Sequence, residues 1–154
     1  MRKTCMAALA LIASANAWAD PPKEVMDIKR DADLKWNPSK MVPGISQAVI
    51  VGNPADAGKV YVVRNRFAPG TFSMPHFHPE TRYIAVLKGT WWVGSGPVLD
   101  KDKTTPVPAG SFVVHHPNQI HWDGAKDEEA VVQITGVGPS ATIRVNEDGR
   151  PKDN

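Results

Sequence analysis

Residues 70–89 read GTFSMPHFHPETRYIAVLKG. The stretch is framed by turn formers, Ala68-Pro69-Gly70 before it and Lys88-Gly89 at its end. On an extended strand residues i and i+2 face the same way, so the imidazoles of His76 and His78 project together. Two imidazoles so placed can grip one divalent cation, and a third ligand must then come from another strand. Downstream, Arg82–Leu87 predicts a strand, Lys88-Gly89 a tight turn and Thr90–Gly94 a returning strand, which together read as a hairpin.

Short strand signals continue on both sides. Upstream lie a strand near Leu34-Lys35-Trp36, the run Ala48–Val51 ended by Gly52-Asn53-Pro54, and the stretch Lys59–Phe67. In Lys59–Phe67, Tyr61, Val63, Asn65 and Phe67 share one parity. Downstream lie a charged connection over Val98–Thr105 and strands at Ser111–His115, Gln119–Trp122, Glu129–Thr135 and Ala141–Val145. Fourteen prolines and twelve glycines in 154 residues disfavour a helical bundle. The expectation is a single all-β domain, a sandwich or barrel. It divides into an N-terminal arm over 20–47, a barrel over 48–145 and a polar tail over 146–154.

The five histidines, His76, His78, His115, His116 and His121, are confined to the middle of the chain, and His121 is the natural third donor. The spacing resembles the cupin family. Gly70, five residues, His76-x-His78, three residues, position 82, six residues, Gly89 reproduces the first cupin motif, with Arg82 where glutamate is usual. The second motif is kept only at Gly110 and His121, with Pro117 and Asn118 forming the loop before that histidine. The resemblance covers about 52–139. It implies a cupin-type antiparallel β-barrel of jelly-roll type and a metal inside it held by His76, His78 and His121. It also implies a small-molecule ligand and a homodimer as the assembly to test. An enzyme of this kind would be metal-dependent, of dioxygenase, isomerase or lyase type; a non-catalytic binding or sensing barrel is the alternative. Fe, Mn, Zn, Cu and Ni are not distinguished by such ligands.

Arginine cannot replace the missing glutamate, because a guanidinium has no lone pair to give. Glu80, which shares strand parity with the two histidines, or Gln119 or His116, is the candidate further ligand. If parity holds, Arg82 points inward with Ile84 and Val86. It then either binds an anionic group of the ligand through its planar fork or pairs with an acid such as Glu80. Of the neighbours Trp91 and Trp92, one should line the barrel and the other face outward. Both are candidates for the ligand-binding wall, against ordinary core packing.

The N-terminus reads MRKTCMAALALIASANAWAD: a basic start, a short apolar run and the small-x-small pattern Ala17-Trp18-Ala19. This predicts a signal peptide over 1–19 and a periplasmic or secreted mature chain beginning at Asp20. The apolar run is too short for a bilayer span, which takes about 20 residues. Removing it takes away Arg2 and Lys3, and with them the formal net charge of +2, leaving no electrostatic case for nucleic acid. Cys5, the single cysteine, goes too, which excludes thiol chemistry and disulfides from the mature chain. No phosphate-binding glycine loop and no Gly-x-Ser-x-Gly elbow occurs.

Overall fold

The computed structural model describes residues 20–152; the expected signal peptide lies outside them. Eleven strands follow one another, joined by loops and two single-turn 3-10 helices: β1 (Asn37–Pro38), β2 (Ile45–Val51), β3 (Val60–Phe67), β4 (His76–Phe77), β5 (Arg82–Lys88), β6 (Thr90–Ser95), β7 (Thr105–Pro108), β8 (Phe112–His115), β9 (His121–Gly124), β10 (Ala130–Val137) and β11 (Ile143–Arg144). They form a six-stranded sheet, β1-β2-β3-β10-β5-β8, and a five-stranded sheet, β11-β4-β9-β6-β7, with antiparallel pairing throughout. The all-β cupin-type barrel expected from the sequence is the observed fold.

Period-2 patterning drives this assembly. Tyr61, Val63 and Phe67 of β3, Ile84 and Val86 of β5, and Val132 and Ile134 of β10 are buried between the sheets with Trp91 of β6. Burying each such aliphatic side chain contributes roughly 1.5–3 kcal/mol. Arg64 and Arg66 take the opposite parity on β3 and lie on the outer face, where Arg66 stacks its guanidinium 3.9 Å above Trp36.

The register corrects three expectations. β5 and β6 do not pair as a hairpin: they belong to different sheets, and Gly89 carries the chain between them. Gly89 has φ +66°, and a Cβ there would come within 2.2 Å of the Glu129 carbonyl oxygen, so only glycine turns this corner without strain. β7 begins at Thr105, the last residue of the stretch read as a connection. Its Pro106 and Pro108 hide it from strand patterning, and it is accordingly an edge strand. The strand expected near Leu34–Trp36 forms directly after that stretch, as β1, and β2 begins three residues inside the stretch read as an arm.

Candidate metal centre and ligand cavity

The centre is built on β4, which is only two residues long but is gripped from both sides. His76 has His121 of β9 as its partner on one side and Arg144 of β11 on the other. Directly opposed residues share a face, so register alone sets these three side chains in one row across the sheet. His78 lies just past the strand end and keeps the same side. The ring centroid of His76 lies 4.7 Å from that of His78 and 4.5 Å from that of His121, and His78 and His121 are 5.1 Å apart. All three are buried, and one ring nitrogen from each lies within 4.8 Å of the other two.

Hydrogen bonding identifies those nitrogens. Nδ1 of His76 lies 2.7 Å from the Met74 carbonyl, Nδ1 of His78 2.7 Å from that of Ala141, and Nδ1 of His121 2.9 Å from that of Gln119. A carbonyl only accepts, so each Nδ1 carries a proton and each Nε2 keeps its lone pair. Backbone carbonyls holding Nδ1–H are the outer-shell support that metal-binding imidazoles use. Nε2 of His121 is buried without any partner among the described residues. Burial holds His76 and His78 below the ordinary imidazole range, with the Arg82 charge acting in the same direction, so both are neutral near pH 7. Three neutral donors, each supported from behind by a carbonyl, match the donor set of a first-row divalent ion.

Arg82 points inward, as parity predicts, opposite His115 across β5 and β8. Its fork is fully committed. Nε donates to Glu80 Oε1 at 2.9 Å, Nη2 to Ser140 Oγ at 2.7 Å, and Nη1 lies 2.9 Å from His78 Nε2, which can only accept. Glu80 Oε1 also accepts from Ser140 Oγ at 2.6 Å and from Tyr61 at 3.0 Å. Burial acts to raise the Glu80 carboxyl, but the Ser140 hydrogen bond and the Arg82 charge outweigh it and keep the group ionised. Glu80 therefore serves as the counter-ion of Arg82 and does not join the imidazole cluster. The acid-pairing reading of Arg82 holds, and its charge is already neutralised.

Three further expectations are corrected. His116 is exposed because His115 faces inward at the end of β8 and its neighbour must turn out. The Gln119 side chain is exposed as well; its contribution is the carbonyl that orients His121. Trp92 lies on the outer face of its sheet, 4.0 Å below the Lys126 ammonium, and takes no part in the cavity. Trp91 is the inward member of the pair and is 1% exposed. Trp122, the neighbour of His121 on β9, takes the opposite face and packs on Phe72 with ring centroids 6.2 Å apart.

In front of the cluster lies a cavity of about 340 Å³ between the two sheets. Its apolar wall comes from Ile45, Val49, Phe67, Ile84, Val132 and Ile134, and its polar wall from His76, His78, Arg82, His115, Asp123 and Arg144. His115, Asp123 and Arg144 escaped the sequence reading. His115 stacks on Trp91, with centroids 5.5 Å apart at 30°, and its ring lies 4.0 Å from that of His121. Asp123 follows His121 at i+2 on β9, the same parity signal that identified His76 and His78, and is 7% exposed.

Burial, with His121 beside it, pushes His115 down to about 3. In the unfolded chain its pKa returns to the ordinary imidazole value of 6.5. Above that pH both states are neutral and His115 contributes nothing to the pH dependence. Below it the unfolded chain takes up a proton that the folded protein refuses, so stability falls as pH drops toward about 3. The expected loss from this residue is on the order of 3 kcal/mol by about pH 4. Glu80, whose folded pKa is lowered, acts in the same direction at the acid end. Denaturant midpoints measured from about pH 8 to pH 4 should show the decline, and His115→Gln should make it shallower, with His76 and His78, also held low by burial, sustaining the rest. A wild-type midpoint constant below pH 6.5 would contradict a neutral, buried His115.

The family of ChrR cupin-like domains matches residues 24–141. No curated protein matches the sequence significantly. Among solved structures, the polyketide cyclase RemF from Streptomyces resistomycificus is similar with a TM-score of 0.64 at 17% identity, over 80% of this chain and 89% of that one. A cupin 2 conserved barrel domain protein from Rhodopseudomonas palustris aligns with a TM-score of 0.62 at 14% identity, over 76% and 81% of the two chains. The DMSP lyase DddQ from Ruegeria pomeroyi aligns with a TM-score of 0.60 at 14% identity, over 77% of this chain and 64% of that one. At these identities the likeness is one of fold.

Proposed function

The chain belongs to the family of ChrR cupin-like domains, and from that premise we propose that it is an exported barrel protein that holds a divalent transition metal on His76, His78 and His121 and receives a small organic anion in the cavity beside it. The observation that carries this reading is the set of three Nε2 lone pairs facing one another, each imidazole fixed from behind by a carbonyl. A bound divalent ion supplies Lewis acidity toward an oxygen of the ligand. The chain's own groups do the rest. The aliphatic wall excludes water from the ligand body, Trp91 and His115 close one side, and Asp123 is the acidic residue on the polar wall. Solved neighbours named as a cyclase and a lyase share the fold but not the reaction, so the fold leaves the reaction open. Export rests on the basic start, apolar run and Ala17-Trp18-Ala19 pattern. Homodimerisation rests on the family resemblance alone.

A second reading, a binding barrel without metal, is favoured by one contact. Arg82 Nη1 already occupies the His78 lone pair at 2.9 Å, so an ion must displace it. One experiment separates the two readings. Untagged protein is recovered from the envelope or medium of an exporting host, sequenced from its N-terminus and analysed for metal. The expected result is a chain beginning at Asp20 with about one equivalent of a first-row metal. Metal-free protein that takes up no zinc on titration supports the second reading, and an intact Met1 in cytoplasmic material refutes export.

A further inference from the structure

We infer that Arg144, and not Arg82, is the anchor for the anionic group of the ligand, and that the cavity takes an amphipathic carboxylate whose head lies between Arg144 and the three imidazoles. This deepens the reading above and rests on it for the position of the ligand.

The two arginines on the polar wall differ in one decisive respect. Arg82 donates through all three of its nitrogens, to Glu80, Ser140 and His78, and its charge is matched by a carboxylate at 2.9 Å. A second anion would have to compete with that buried pair. Among the described residues, no carboxylate lies within ion-pair distance of Arg144, and no side-chain hydrogen bond is made by it. Arg144 is partly buried and lines the cavity. A cation so placed, half withdrawn from water and without a protein partner, attracts an anion more strongly than an exposed one does. Its planar fork matches a carboxylate with two parallel hydrogen bonds.

Register supplies the geometry. Arg144 is the direct cross-strand partner of His76, which in turn is the partner of His121. Cβ atoms of such partners stand about 4.5–5.5 Å apart, so a carboxylate held by Arg144 lies next to the imidazole row. The carboxylate on this wall, Asp123, is on β9, with β4 between it and β11. The site is therefore polar in one direction, cationic on the β11 side and acidic on the β9 side, and an anion is oriented toward β11. The aliphatic residues of β5 and β10 then face the remainder of the ligand. At about 340 Å³ the cavity lies at the small end of ligand pockets, which suits a compact acid. Arg144 also lies beyond the residues matched by the family, which end at 141.

The test uses benzoate as the probe and benzamide as its neutral counterpart of the same shape, titrated calorimetrically into zinc-loaded and metal-stripped full-length mature protein. The wild type should bind benzoate at least about tenfold more tightly than benzamide, the difference expected of a charge-assisted hydrogen-bonded pair. Arg144→Gln should weaken benzoate about tenfold or more and leave benzamide affinity unchanged, which also shows that the cavity still folds. Arg144→Lys should recover part of the loss. The Arg144 dependence should persist in stripped protein, so a failure to load zinc would overturn the metal reading without touching this one. Equal benzoate affinity in wild type and Arg144→Gln, no preference for benzoate over benzamide, or no binding of benzoate at millimolar concentration would each overturn the inference.

Discussion

Replacing His121 with alanine is expected to abolish stoichiometric metal binding while leaving a folded barrel. In the wild type, saturating zinc should raise thermal stability, because an ion that binds only the folded state adds about 4 kcal/mol at a thousandfold excess over Kd. His121→Ala removes one of three donors and should erase that increment. The substitution should cost the metal-free protein little: Nε2 of His121 is buried without a partner among the described residues, so its removal relieves an unsatisfied group as it opens a small void. Isothermal titration with zinc and thermal melts with and without it provide the measurement. Undiminished zinc binding in His121→Ala would remove the three-histidine centre from consideration. Loss of folding without metal would show instead that His121 is a structural core residue.

The largest effect on stability is expected at Glu80. Its side chain is 10% exposed and that of Arg82 12% exposed, so Glu80→Ala leaves a guanidinium buried without a counter-charge. Breaking such a pair from one side typically costs about 3–5 kcal/mol. Three donors, from Tyr61, Arg82 and Ser140, lose their acceptor at the same time. Removing both charges, in Glu80→Ala with Arg82→Leu, should recover most of the loss, because an apolar pair of similar volume is often as stable as a buried ion pair. A double-mutant cycle read by urea denaturation measures the coupling. The Arg82→Leu variant should also bind zinc more tightly than the wild type, since Nε2 of His78 is then free. Additive losses would show that Glu80 and Arg82 do not act as a pair. Weaker zinc binding in Arg82→Leu would show that the arginine supports the centre and does not compete with the ion.

What could be read from the sequence and what could not divides along the range of the interaction. His76 and His78 needed only the alternation of a strand, a local rule, and the structure brings them together with His121. The inward face of Arg82 followed from the same rule. Its partners did not, because Ser140 lies 58 positions away and meets Arg82 only through the fold. Arg144 was missed for a similar reason: its importance comes from standing opposite His76, and the register between β4 and β11 is not written in either strand. Gln119 was chosen for its amide, whereas the fold uses its carbonyl, and side-chain chemistry gives no warning of that. The hairpin at Gly89 failed differently. The turn is real, with φ +66°, but a turn specifies a change of direction and not the sheet into which the next strand is recruited.

The placement of β11 also bears on when the centre becomes complete as the chain is made. All three imidazoles belong to the region before residue 122, but the carbonyl that holds Nδ1 of His78 is that of Ala141, and the strand that flanks His76 is Ile143–Arg144. A nascent chain that ends before this segment carries every donor atom without the scaffold that aims two of them. Closure of the site therefore waits until the segment from Ala141 to Arg144 has been made, and β11 functions as the last stave of the described barrel.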